Sequence, residues 1–349
     1  MQVRGIHFDN VSRFFREHID GADGPLEFEL IGDGRSNLTY RVHGGGRSWV
    51  LRRPPLGHVL PTAHDMGREF RVIAALAGTG VPVAEALAFC PDPAVNEQPF
   101  YVMSYCPGVV IAGDLPPDYA ARESERRSLS RALVDTLVAL HGVDPEAVGL
   151  GDLGRPDGYL ARQVQRWSQQ WQRSRVDDQP AIDELIRRLQ RAIPVSPAPA
   201  IVHGDYRLGN LALASDDPGR VVAVYDWEMA TLGDPLADLG YTLIYWSDPT
   251  DVARGTLRLS PASAHPGFLT RAELVDAYAR RTGTDVSAIE FYEVLALYKL
   301  AVILEGIYAR HLQGQTYGEQ FSDVQRGSIA LAQRALAIAD ASSDPKLRA

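Results

Sequence analysis

Between residues 26 and 105 the sequence is cut into short β-rich runs by Gly, Asp and Ser clusters, and after Pro107 that punctuation stops. Runs at 26–31, 38–42 and 48–52, with the Gly44-Gly45-Gly46 turn between the last two, predict an antiparallel meander. A helix over 63–77, entered through Thr62 and closed by Gly78, follows, and then two further strands at 83–89 and 100–105. Beyond Pro107 the apolar period becomes helical. Leu129, Leu133, Leu137 and Leu140 share one face of a segment at 119–141, and further helices are predicted at 158–174, 181–192, 271–281, 288–311 and 325–338. Thr270 and Glu273 form a capping box at the start of the 271–281 helix. One β island, 210–214 and 221–225 around the turn Asp216-Asp217-Pro218-Gly219, sits among the helices. The expected fold class is therefore α+β. An antiparallel sheet lobe with one main helix (residues 1–105) faces a mostly helical lobe (106–349) across a ligand cleft.

Charge and residue usage narrow the chemistry. The formal charge of −9 and isoelectric point near 5.5 argue against nucleic acid or an anionic membrane as the partner, which leaves a small molecule. The most apolar stretch, 294–307, is interrupted by Lys299 and Glu305, and residues 1–10 carry no signal-like run, so no membrane span is expected. Two cysteines, Cys90 and Cys106, are too few for a secreted disulfide framework, and a cytoplasmic location is the expectation. A homodimer is left open. Lys299 and Lys346 are the only lysines, and neither follows a glycine-rich loop, so a Walker-type nucleotide site is excluded.

The chemistry concentrates at residues 201–228. His203-Gly-Asp205-Tyr-Arg207-Leu-Gly-Asn210 is a His-x-Asp-(x)4-Asn pattern, and Asp226 follows the second strand of the hairpin. The hairpin brings Asn210 and Asp226 together across sixteen residues, which offers oxygen ligands to a hard divalent cation. Phosphoryl transfer needs an oriented hydroxyl, a proton acceptor and neutralised phosphate charge. Asp205 suits the base, Asn210 and Asp226 suit Mg2+, and Arg207 suits transition-state charge.

This segment resembles the catalytic and metal-binding motifs of the aminoglycoside phosphotransferase family, small-molecule kinases with the two-lobed protein-kinase-like fold. Val50-Leu51-Arg52-Arg53-Pro54-Pro55 and Gly67-Arg68-Glu69-Phe70 are similar to the branch associated with acyl-CoA dehydrogenases. The resemblance implies Asp205 as catalytic base, Arg207 in the place of a catalytic-loop lysine, Asn210 and Asp226 as magnesium ligands, and Asp238 as a brace of the loop. It places Gly32, Gly34 and Ser36 in the phosphate-covering loop, which lacks a third glycine. It sets Arg52 on the α/β-phosphates with Glu69 as its partner, and it brings adenine to the Ser104 carbonyl and Cys106 amide. Arg52 departs from the usual lysine, and Asp226-Trp227-Glu228 departs from Asp-Phe-Gly in the manner of small-molecule kinases.

The expected activity is ATP- and Mg2+-dependent transfer of the γ-phosphoryl group to a hydroxyl of a small molecule, either a hydroxyacyl compound or an aminoglycoside-like acceptor. Two alternatives are carried: a catalytically degenerate nucleotide-binding or scaffold protein of the same fold, and a metal-dependent hydrolase using His203 and Asp205 as ligands. His203 is read as structural. Trp167, Trp171 and Trp246 are read as core, and Asp234 as a helix cap.

Overall fold

The structure, a computed structural model, describes residues 3–31, 37–56, 64–248, 251, 259–314 and 322–348. The first lobe is a five-stranded antiparallel sheet of β1 (Glu27–Ile31), β2 (Leu38–Gly44), β3 (Arg47–Arg53), β4 (Ala86–Cys90) and β5 (Phe100–Ser104), in the order β1-β2-β3-β5-β4. Gly45 and Gly46 both take positive φ (56° and 76°), which lets the β2–β3 hairpin turn tightly. Strand β3 is buried on both faces from Trp49 to Arg53. Because successive side chains alternate, Trp49 and Leu51 enter one core while Val50 enters the other. The same alternation carries Arg53 to the carbonyls of Pro54 and Gly5 and Arg52 to the opposite face.

Helix α1 (Phe8–His18) covers one face of the sheet, burying Val11, Phe14 and Phe15 among Tyr40, Trp49, Leu51, Phe100 and Val102. Sequence reading gave no helix here. No side chain caps it locally; the amide of His7, at its N-cap, instead donates 2.8 Å to the Asn96 side chain, eighty-nine residues away. Helix α2 (Met66–Leu76) covers the other face. It begins three residues later than expected, because Asp65 is its cap and accepts from the Arg68 amide at 3.0 Å. Thr62, the expected entry, lies outside the described residues.

After the single-turn helix α3 (Pro93–Asn96), the second lobe contains α4 (Glu123–His141), α5 (Tyr159–Ser174), α6 (Pro180–Arg191), α7 (Leu236–Tyr245), α8 (Arg271–Thr282), α9 (Ile289–Leu312), α10 (Ser322–Asp340) and the short α11 (Pro345–Arg348). Helix α9 runs through the middle and packs against α5, α7 and α10. It approaches α7 closely at Gly240, where an added Cβ would lie 2.6 Å from the Cβ of Tyr292. The expected hairpin is β8 (Leu211–Leu213) with β9 (Val221–Val224), and β6 (Val109–Val110) adds a third strand. A two-stranded ribbon, β7 (Ala200–Val202) with β10 (Thr231–Gly233), was not anticipated; three-residue strands carry too little alternation to be seen. It matters, because β7 delivers the chain to His203. Among the described residues no helix is long and apolar enough to cross a membrane.

Candidate active site

The 203–210 loop is held by Asp238, in the first turn of α7, whose carboxylate accepts from the amides of His203 (2.6 Å) and Gly204 (2.8 Å). The ring of His141 adds a third bond at 3.3 Å and is itself bonded to Tyr278 at 2.8 Å. Burial alone would raise the Asp238 carboxyl; these bonds outweigh it and hold the group below the ordinary aspartate range. The ring of His203 is also spent, one nitrogen on the Tyr225 carbonyl (2.9 Å) and the other on the Asp205 amide (3.2 Å). A histidine with both nitrogens occupied is not a metal ligand, which removes the basis of the hydrolase alternative.

Within this frame the Asn210 side-chain nitrogen donates to both the carbonyl and the carboxylate of Asp205, each at 2.8 Å. Both bonds use the amide nitrogen, which leaves its carbonyl oxygen for a cation. Arg207 lies 3.4 Å from the Asp205 carboxylate, with its guanidinium over the Tyr245 ring at 5.1 Å. The Tyr225 amide donates to the Asn210 backbone carbonyl at 2.8 Å, so the hairpin pairs Asn210 with the residue that precedes Asp226. Asp226 stands in the left-handed region (φ 67°, ψ 59°), which aspartate tolerates better than most non-glycine residues.

Arg52 reaches this group from β3, with one terminal nitrogen 2.9 Å from Asp226 and the other 3.4 Å from Glu69 on α2. Arg52 and Glu69 are both buried, and burial pushes the Glu69 carboxyl up to about 7 against the pull of Arg52. At the interlobe connection Tyr225 donates its hydroxyl to the Cys106 carbonyl (3.2 Å), while the Ser104 hydroxyl accepts from the Glu85 amide (2.9 Å). Among the described residues no hydrogen bond engages the Cys106 amide. Gly32, Gly34 and Ser36 lie outside the described residues. Asn37, next in the chain, donates to Glu228 at 3.0 Å.

Among the described residues there is no cluster of three or more His, Cys, Asp or Glu side chains able to hold a metal unaided. Asn210 and Asp226 could offer two side-chain oxygens. That set suits Mg2+, which keeps phosphate and water oxygens in its shell, and does not suit a metal caged by protein alone.

A cavity of about 710 Å3 opens beside the loop, floored by Gly204, Tyr241 and Lys299 and walled by α5. Lys299 donates to the Gly204 carbonyl at 2.9 Å and sits over the Tyr241 ring at 4.7 Å. Burial depresses its ammonium, opposed by Asp205 and Asp238. Helix α5 presents Tyr159, Arg162, Arg166 and Trp167 to the cavity, and Arg155 joins them from the preceding loop. Sequence reading missed this lining. Its available signals were the one lysine inside an apolar helix and two arginines four apart. Trp171 and Trp246 are core residues as expected, whereas Trp167 belongs to both core and cavity wall. Asp234 accepts from the Leu236 amide at 3.0 Å, as a helix-start residue does, and also from the Tyr292 hydroxyl at 2.7 Å.

A family model described as "Phosphotransferase enzyme family" matches residues 27–292. The chain belongs to this phosphotransferase family. It is similar to a putative aminoglycoside phosphotransferase of Ralstonia eutropha of known structure, at 34% identity and a TM-score of 0.82, covering 96% of this chain and 99% of that one. The fold extends to an aminoglycoside phosphotransferase solved as a ternary complex with ADP and hygromycin B, at 15% identity and a TM-score of 0.62 over 94% of this chain and 98% of that one. Curated relatives include acyl-CoA dehydrogenase family member 10 of Mus musculus (36% identical) and member 11 of Gallus gallus (34%). The matches cover 84% and 90% of this chain but 27% and 40% of those relatives, so the chain spans well under half their length. A phosphotransferase with the protein-kinase-like two-lobed architecture is thus the shared character of the family and its structural neighbours.

Proposed function

We propose that this phosphotransferase moves the γ-phosphoryl group of ATP, with Mg2+, to a hydroxyl of an anionic small molecule, and that a hydroxyacyl thioester on a phosphate-bearing carrier is the best-fitting acceptor. Asp205 orients the hydroxyl and accepts its proton, fixed in place by Asn210. Asn210 and Asp226 would hold Mg2+, whose bound form neutralises phosphate charge. Arg52 binds phosphate from the sheet side with Glu69 as its partner, Arg207 offsets charge as the phosphoryl group moves, and the Ser104–Cys106 backbone receives adenine.

The carrying observation for the acceptor is the sign of the cavity. Arg68, Arg155, Arg162, Arg166 and Lys299 line it against the carboxylates of Asp65, Glu228 and Asp238, and Asp238 is already saturated by the loop. Such a lining attracts anions and opposes an aminoglycoside, which brings several ammonium groups. The relatives named as acyl-CoA dehydrogenase family members support an acyl carrier with phosphates.

The test is ADP formation with Mg2+ across hydroxyacyl thioesters, free hydroxy acids and aminoglycosides. Turnover is expected to be highest with hydroxyacyl thioesters. Asp205→Asn is expected to lower kcat by roughly 10²- to 10⁴-fold while Mg-ATP affinity stays within about threefold. A preference for aminoglycosides, or full activity in the variant, overturns the reading. The second reading, a binding protein without turnover, is favoured by the direct Arg52–Asp226 pair at 2.9 Å, which occupies both groups. Tight Mg-ATP binding with no ADP from any acceptor class supports it.

A further inference from the structure

In Gly67-Arg68-Glu69-Phe70 the nucleotide chemistry above uses only Glu69; Arg68, so far a cation of the cavity wall, makes the more far-reaching contact. One terminal nitrogen of Arg68 donates to two backbone carbonyls of the second lobe, Leu153 at 2.6 Å and Ala230 at 2.8 Å. Leu153 ends the turn after α4. Ala230 closes the Trp227–Met229 turn that starts at Asp226, and it is followed directly by β10, the partner of the strand leading to His203. A single guanidinium therefore ties the helix carrying Glu69 to the segment carrying Asp226.

Neighbouring residues serve the same contact. Asp65 accepts from the Arg68 amide and so fixes where the helix starts. Gly67 keeps the first turn against β4, since a Cβ there would lie 3.1 Å from the Phe89 ring. Helical geometry turns position 68 away from position 69 by about 100°. Arg68 consequently faces the second lobe while Glu69 faces the sheet and Arg52. Arg71, close to Arg68 on that surface, meets the Gly149 carbonyl at 2.5 Å and the Asp152 carboxylate, but its side chain is half exposed.

We propose that Arg68 is a positioning residue for the nucleotide site: it sets the helix so that Glu69 holds Arg52 and Arg52 meets Asp226, coupling the phosphate-binding and metal-binding halves across the cleft. The role rests on the nucleotide reading given above but not on the identity of the acceptor.

The test uses the full chain and two readouts independent of turnover: calorimetric affinity for Mg-AMP-PNP, and amide hydrogen exchange over residues 66–76. Arg68→Ala is expected to bind about tenfold more weakly and to exchange about tenfold faster across the helix. Arg68→Lys, which can still reach one carbonyl, should fall between it and wild type. Arg187→Ala, the loss of an exposed arginine on α6, should match wild type in both. Unchanged affinity and exchange in Arg68→Ala overturn the proposal. Should Arg68→Ala fail to fold, Arg68→Lys and Arg68→Gln decide: a graded loss with Gln the weaker supports it, and wild-type affinity in both overturns it. Absence of Mg-AMP-PNP binding by the wild-type chain itself would instead remove the nucleotide reading.

Discussion

Arg52 is a cation between two carboxylates, and its planar fork lets it face Glu69 and Asp226 at once. A lysine offers one compact ammonium there. Arg52→Lys is therefore expected to fold and to weaken Mg-ATP by about tenfold in calorimetry, because one of the two carboxylates loses its partner. Arg52→Ala leaves Glu69 buried and unpaired, a loss of about 3–5 kcal/mol that urea unfolding will read. The Arg52–Glu69 contact was legible from the order of the two residues in the chain, and the Asp205–Asn210 contact from their spacing. The grip of Asp238 was implied by resemblance, but its bond to His141 spans 97 residues and leaves no local mark. Lys299 was visible only as an interruption of an apolar run. A lone cation in such a run reads equally as a solvent-facing residue until the cavity beside it is seen.

Helices α7 and α9 meet with almost no space between them, and Gly240 is the reason. Gly240→Ala must push its new methyl group into the Tyr292 backbone, 2.7 Å away, and about 1–3 kcal/mol of stability should be lost in chemical denaturation. Glu293, on α9, is pushed up to about 7 by burial, with Arg271 and Arg334 pulling the other way. Its folded value lies above the ordinary 4.5, so the folded chain holds this proton more tightly than the unfolded chain. That contribution is complete below about pH 4.5 and is lost as pH rises through about 7. Glu293→Gln, which cannot ionise, should accordingly gain roughly 2 kcal/mol relative to wild type between about pH 5 and 8, read as the difference in unfolding free energy. At this scale long periodic helices were legible to within a few residues, whereas α1 and the β7–β10 ribbon were not. Helix α1 is anchored at its start by a distant asparagine, and the ribbon is held by its own pairing.

At the scale of the molecule the described residues form two apolar cores, one between α1 and the sheet and one running from α2 through the second lobe. The strand-like periodicity before Pro107 and the helix-like periodicity after it match the sheet and the helices; Arg68 stands in the Gly67-Arg68-Glu69-Phe70 run, but the carbonyls it reaches lie 85 and 162 residues away and leave no local mark. A nucleotide that binds only the folded chain stabilises it by about 2.7 kcal/mol at a hundredfold excess over Kd. Mg-ATP should therefore raise Tm by several degrees in calorimetric scans, and EDTA should remove most of the gain if Asn210 and Asp226 hold the ion. The cavity has a further consequence for anyone designing molecules against this chain. Its walls run from His64 and Arg68 on one lobe to Arg166 and Lys299 on the other. An inhibitor should carry negative charge, and one long enough to touch both walls would act as a splint, stopping turnover by joining the two halves without competing for ATP.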